Sequence, residues 1–450
     1  MQEKLLRAKD LAEIDPELAL KLCNEVLEDD FDNDMALFIQ GYILMQSEKF
    51  GLAYNLFQRC VQLRPNQTEI WNNMGMCLEI DYPDRAMAAF DQALKLNPKN
   101  HHAMINKGLM HLKRAEPEKC VKLCNDALKL DPDSRAAHDN KAQALLMMRD
   151  WGAGWDEYTH SWGGKHRRKR DFGLPEWTGQ KDARVIVYAE QGLGDEILFG
   201  SCIPDLQAIS KQVIVECDRR LQGVFERSFG VEAFGTRFEQ RPPITDWLEA
   251  DYVISMGELP RFFRRKHKDF PGDAYLTPDP ERCVQWRALF DTLPGLKIGL
   301  AWSGGLKNTG KKERCVDLDV LAPLFDLPHT FISLEYNEPD LKGYPVKHWS
   351  RAVDKSADYD ETLAMINELD LVISVTTTAV HAAGALGKEC WCLVPQHPSF
   401  RFHLSGEMPW HKSVKLIRQE HTYEDLLMEK YQHPWECVVH KIKRKLESLC

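Results

Sequence analysis

Two short stretches of this 450-residue chain combine residue types that hold anions and move protons. The first is Gln191, Gly192, Leu193, Gly194 and Asp195, directly after the β-branched run Val185 to Tyr188. Glycines in such a turn let backbone approach a ligand closely, or serve only to pack strand against helix. The helix that Asp195 opens would aim unpaired N–H groups and a positive dipole end outward, and an acid at that place is itself favoured by the dipole. The second stretch is Ser374, Thr376, Thr377 and Thr378, with His381 one turn further on. Hydroxyls beside free helix N–H groups make an anion cradle that needs no cation, or they simply cap the helix. Asp317 and Asp319 form an Asp-x-Asp string, but they stand where a helix starts and are read as a cap or surface charge.

The elements that must position these residues follow from the pattern around them. Strands are expected at Val185–Tyr188, Val213–Val215 and Tyr252–Ile254, with helices near Ile197–Ile209 and Arg220–Phe229. A second series has strands at Lys297–Trp302, Phe331–Leu334, Leu371–Ser374 and Cys390–Val394, with helices near Tyr359–Leu369 and from about Thr377. Strands alternating with helices predict parallel sheets with crossover helices, hence two Rossmann-like lobes facing a cleft. Both chemical stretches then lie at carboxyl strand ends, where doubly wound folds bind ligands. Trp435, Val438, Val439, Ile442 and Leu446 recur at helical spacing and predict a closing helix.

Upstream, small and large residues repeat with a period of about 34. Gly41, Ala53, Phe57 and Pro65 are followed by Trp71, Gly75, Ala86, Phe90, Ala93 and Pro98, then by Gly108, Cys120, Cys124, Ala127 and Pro132. Ala19, Cys23 and Val26 suggest an incomplete first unit, and His138, Ala142, Gly154 and Tyr158 a degenerate last one. This resembles the tetratricopeptide repeat, in which small residues let two helices approach and proline follows the second. The expected organisation is an all-α solenoid over 1–162, a linker over 163–183, α/β lobes over 184–292 and 293–420, and closing helices over 421–450. The solenoid's concave face would take a peptide or protein partner, or act as a spacer. The basic run at 163–170 is read as solvated linker, with an anionic acceptor or lipid headgroup as the alternative.

Bulk properties narrow the class. A net charge of −10 argues against an electrostatic nucleic-acid binder. Apolar content of 44% and charged content of 28% are ordinary for a globular protein. The first residues mix charge into every turn, unlike a signal peptide, and no apolar run reaches the roughly 18 residues that span a bilayer. Thirteen scattered cysteines suit buried thiols better than disulfides or zinc. A reduced, cytoplasmic setting is expected.

The segments QGLGDEILFGSCIPDL, GLAWSGG, RCVDLDVLAPL, DLVISVTTTAVHAAGALG and WCLVP, in that order, resemble glycosyltransferases of the lipopolysaccharide heptosyltransferase type, and more closely their relatives fused to tetratricopeptide repeats. The resemblance covers 184 to about 420. It implies a GT-B fold, an N-terminal lobe for the acceptor and a C-terminal lobe for a nucleotide-sugar donor, with metal-independent transfer and no further cofactor.

Carried over by position, Asp195 matches the proposed base, with Glu196 as second choice, and Gln191, Gly192 and Gly194 form the acceptor-side loop. Arg314 matches a basic residue that follows the GLAWSGG strand and precedes the Leu-rich helix, and of Arg314, Lys307, Lys311 and Lys312 in that loop one is expected to contact phosphate, Arg314 first because its fork suits bidentate geometry. Ser303 and Gly304 would line the sugar site, and Ser374, Thr376, Thr377 and Thr378 the phosphates. His381, where the family also has histidine, would touch the donor or fill space beneath the helix. Gln396, His397, Phe400 and Arg401 form a loop suited to stacking on a nucleobase. The chain departs from the pattern at Thr376, where relatives commonly carry an acid, which bears on donor identity and turnover. The expected activity is sugar transfer to a hydroxyl on a glycan, lipid-linked saccharide or protein. The rivals are a repeat scaffold whose GT-B part no longer turns over, and a protein glycosyltransferase similar to the O-linked N-acetylglucosamine transferases.

Overall fold

The computed structural model describes residues 1–162, 167, 169–236, 249–305, 311–354, 358–420 and 433–449. The chain forms two compact units, 1–144 and 145–450.

The first unit is all helical. Gln2–Leu11, Pro16–Asp29, Asp34–Gln46, Phe50–Leu63, Thr68–Leu78, Pro83–Leu96, His101–Lys113 and Pro117–Leu128 follow one another, and Arg135–Met147 runs on into the second unit. Proline starts three of these helices, at Pro16, Pro83 and Pro117, where its missing N–H costs nothing. The repeating glycines have a steric cause. A Cβ at Gly75 would stand 2.5 Å from the Phe90 ring, and one at Gly41 would stand 2.8 Å from Phe57. Each glycine is therefore the gap that its partner helix's aromatic fills. In the third pair Cys124 replaces the ring and the approach to Gly108 relaxes to 3.5 Å.

The second unit begins with the end of Arg135–Met147 and the helix Trp151–Tyr158, then builds two all-parallel sheets. In the first, β1 (Arg184–Tyr188), β2 (Gln212–Glu216), β3 (Glu232–Phe234) and β4 (Tyr252–Ser255) take the order β3-β2-β1-β4. In the second, β5 (Lys297–Ala301), β6 (Thr330–Ser333), β7 (Val346–Lys347), β8 (Leu371–Val375), β9 (Cys390–Val394) and β10 (Val414–Arg418) take the order β10-β9-β8-β5-β6-β7. Both orders reverse beside their first strand, between β1 and β4 and between β5 and β8. That reversal opens a crevice at the strands' carboxyl ends. The closing helix, Glu436–Glu447, buries Val438, Val439, Ile442 and Leu446 against Phe331, Trp391 and Leu324 of the second sheet's core.

Two local expectations are corrected. The single helix expected over Ile197–Ile209 is broken into Leu193–Gly200 and Ile203–Gln207, with Pro204 inside the first turn of the second piece. The basic run is solvated at Lys169, whose side chain is 54% exposed, but not at Arg167 and Arg170. Arg167 is buried and bonds both oxygens of Glu190, at 3.0 and 3.1 Å, with its guanidinium 3.9 and 4.0 Å from the Tyr158 and Trp162 ring centres. Arg170 pairs with the buried Glu216. Every described cysteine is a free thiol, and no described helix is long and apolar enough to cross a membrane.

Candidate functional site

The turn after β1 and the turn after β8 meet. The helix Leu193–Gly200 packs on the helix Thr378–Ala385, and no side chain caps either N-terminus. At the contact, a Cβ on Gly194 would lie 3.0 Å from Thr378 Oγ1 and 3.5 Å from His381 Cδ2. The turn after β5 joins them, because a Cβ on Gly304 would lie 2.4 Å from Thr377 Cγ2. Three backbone turns thus converge, with no room for a methyl group at Gly304 unless Thr377 shifts and a tight fit at Gly194. Two helix N-termini, each a partial positive charge, share one place.

Two guanidiniums strengthen that charge. Arg314 donates from Nε to Thr376 Oγ1 at 2.9 Å and from Nη2 to the Thr376 carbonyl, so hydroxyl and backbone fix its fork. Thr376, standing where an acid was expected from the resemblance, binds Arg314 without neutralising it. Arg401 donates from Nε to Asp195 Oδ1 at 2.7 Å and from Nη2 to Gln191 Oε1 at 3.2 Å. Gln191 in turn donates to the Tyr158 hydroxyl. Burial, then repulsion by Arg401, lowers the Arg314 pKa. His381, only 5% exposed, is held neutral with a pKa lowered to about 3 by burial and then by Arg401 and Arg314. Its Nδ1 has no hydrogen-bond partner among the described residues.

The remaining sequence candidates fall into place around this cluster. Ser374 is fully buried, donating to the Val375 carbonyl at 2.7 Å and lying 3.1 Å from the Thr377 hydroxyl. Thr377 holds the N-cap position yet makes no side-chain cap bond, so capping is not what the threonines do. Ser303 donates backbone N–H and hydroxyl to Glu335, whose Oε1 also takes the Trp302 N–H at 2.8 Å. Glu196 turns away from Asp195 and accepts the Asp218 N–H at 2.8 Å, which removes it as a base.

Asp317 caps the helix Leu318–Leu321, and with Asp319 it binds Lys342 at 2.8 and 2.7 Å; the cap reading holds. Phe400 is buried, with its face under Arg401, and is not free to stack on a base. Gln396 donates its N–H to Gln419 Oε1 at 3.1 Å and lies away from the cluster's hydrogen bonds. Lys307 lies outside the described residues, as do the side chains of Lys311 and Lys312.

Sequence reasoning missed three contributors: the Arg401–Asp195 pair, Glu335 and the Arg167–Glu190 pair. Burial raises the Glu190 pKa against the pull of Arg167. Glu335 had a readable signal, an acid just beyond the strand next to β5, where dinucleotide folds place a ribose ligand.

The chain thus combines a helical solenoid of tetratricopeptide-like repeats with a unit built on two parallel sheets. Residues 68–100 match the tetratricopeptide repeat profile. Protein FlbA of Caulobacter vibrioides is 27% identical over 398 residues, covering 82% of this chain and 67% of that protein. That coverage extends well past the repeats. Tetratricopeptide repeat-containing protein trd-1 of Caenorhabditis elegans is 27% identical over 109 residues, 24% of this chain and 14% of that one. Among solved structures, the repeat protein TTC0263 of Thermus thermophilus shares 17% identity over 36% of this chain and 89% of its own, with a TM-score of 0.32. MamA of Desulfovibrio magneticus shares 19% over 35% and 93%, with a TM-score of 0.31.

Proposed function

We propose that this protein is a glycosyltransferase of the GT-B kind that uses a nucleotide-sugar donor, with its repeats binding the protein that carries or accompanies the acceptor. The observation that carries this reading is the convergence at the carboxyl ends of both sheets. Two helix N-termini, Arg314 and Arg401 gather about the Asp195 carboxylate. Such a place suits a diphosphate, whose charge grows as a sugar leaves it, and positioned donors lower that barrier. Thr376 to Thr378 would bracket the phosphates beside Arg314, and Glu335 would hold the turn at Ser303 that faces them. Asp195, in the helix that follows β1 of the first sheet, would accept the proton of an attacking hydroxyl. A cytoplasmic setting fits both a nucleotide sugar and the free thiols.

A second reading is a repeat scaffold whose α/β half does not turn over. It is favoured by the ion pair that engages Asp195, because Arg401 occupies the carboxylate oxygen that an attacking hydroxyl would have to reach. The similarity to repeat proteins supports this reading more than it supports the transferase.

Thermal shift against a panel of nucleotide sugars, followed by donor hydrolysis and transfer assays, separates the two. On the transferase reading at least one donor raises the melting temperature, and Asp195→Asn keeps or enlarges that shift while turnover drops about 10²- to 10⁴-fold. Donor binding without turnover in the wild type would leave the scaffold.

A further inference from the structure

We propose that Arg401 is an electrostatic latch on Asp195, shared between that carboxylate and a bound diphosphate, so that a donor entering the cradle draws Arg401 onto itself and releases the base. The inference rests on the reading that a diphosphate binds here.

Four observations carry it. Asp195 lies in the helix that follows β1 and Arg401 in the segment after β9, 206 positions apart, and they are 21% and 20% exposed, so an incoming anion can reach both. Among the described residues, Arg401 hydrogen-bonds only to side chains, Asp195 and Gln191, and its guanidinium rests on the Phe400 ring at 4.4 Å. Arg314, by contrast, is tied to a backbone carbonyl. Arg401 is therefore the guanidinium that rotamer changes can move, and Arg314 the fixed one. The two repel each other, and an anion carrying two or more charges between them relieves that repulsion better than one carboxylate on one side. Finally, His381 presents a buried Nδ1 without a hydrogen-bond partner among the described residues at the same junction, beside Gly194. Charge-assisted forks of arginine on phosphate are at least as strong as those on carboxylate, so the exchange is balanced enough to be driven by donor concentration. The base would then be exposed only when its leaving group is in place.

A double-mutant cycle read by calorimetry with inorganic pyrophosphate tests this. In the wild-type background Asp195→Asn is expected to tighten pyrophosphate about tenfold, because Arg401 is no longer shared. In an Arg401→Gln background the same change is expected to gain at most about threefold, the residue of simple charge repulsion. An equal gain in both backgrounds, or none in either, overturns the latch while leaving the diphosphate site standing. If the wild type binds no pyrophosphate, the latch and the site fall together. Should Arg401→Gln not fold, Arg401→Lys closes the cycle, with a coupling smaller than that of arginine because lysine cannot bridge two oxygens.

Discussion

Gly194 and Gly304 meet threonines 378 and 377 of a single helix, and their tolerance to a methyl group measures how tightly the turns converge. A Cβ at Gly194 would sit 3.0 Å from a hydroxyl and 3.4 Å from the Thr378 Cα, and one at Gly304 would sit 2.4 Å from a β-branched methyl. Overpacking of this kind costs about 1–3 kcal/mol. Gly194→Ala and Gly304→Ala should both lower the melting temperature, Gly304→Ala more. Gly192 is the built-in control, because its nearest neighbour would be the Asp195 carboxylate at 3.6 Å and its φ is −73°. Gly192→Ala should stay within about 0.5 kcal/mol of wild type. Equal losses at 192 and 194 in melting curves would mean that the turn, and not the contact with Thr378, demands glycine.

The helix Thr378–Ala385 is the element on which both functional readings depend, and it has a pH signature. It carries His381, and it carries Gly384, where a Cβ would lie 2.2 Å from the His411 ring. His411 is fully buried with its pKa well below the usual value, through burial and then His381. His403 nearby in sequence is lowered to about 3 by burial and then by Arg149. A histidine lowered in the folded state gives stability that is full above its unfolded pKa of about 6.5. That stability is lost as pH falls toward 3, because the unfolded chain takes up the proton first. Each such imidazole should cost about 1.4 kcal/mol per pH unit in that window. Melting temperatures should therefore fall steeply from pH 6.5 to 5; imidazole NMR signals of His381 and His403 titrating near 6.5 would contradict the burial argument.

The helix also shows what the sequence could reveal. Its Ala- and Gly-rich face and the strand Leu371–Val375 are legible because the apolar run and the threonines lie side by side in the chain. The edge strand β10, with Lys415 and Arg418 interrupting its apolar residues, was missed, as were the short β3 and β7. Arg401 could be assigned to a loop but not to Asp195, since a partner 206 residues away is chosen by the fold and not by neighbours.

At the scale of the molecule, the two units are stabilised by different physics, and that difference is measurable. The repeats are held by nearest-neighbour contacts such as Gly75 on Phe90, so their stability sums over short-range terms. The second unit closes two sheets through contacts far apart in sequence, among them Arg227 with Asp360 at 2.6 Å and the Tyr275 N–H with the Ala385 carbonyl at 2.9 Å. A chain of this kind need not melt in one step. A ligand that binds only the second unit stabilises it by RT ln(1 + [L]/Kd), about 2.7 kcal/mol at a hundredfold excess over Kd. That corresponds to a few degrees for a unit of this size. Scanning calorimetry of the full chain with saturating pyrophosphate should move the α/β transition upward and leave the helical one in place. Phe90→Ala should do the reverse, lowering the helical transition by a core-cavity cost of about 3–5 kcal/mol. If both transitions shift together with the anion, the repeats and the sheets unfold as one cooperative body, and a ligand at Thr378 is then thermodynamically linked to whatever the solenoid binds.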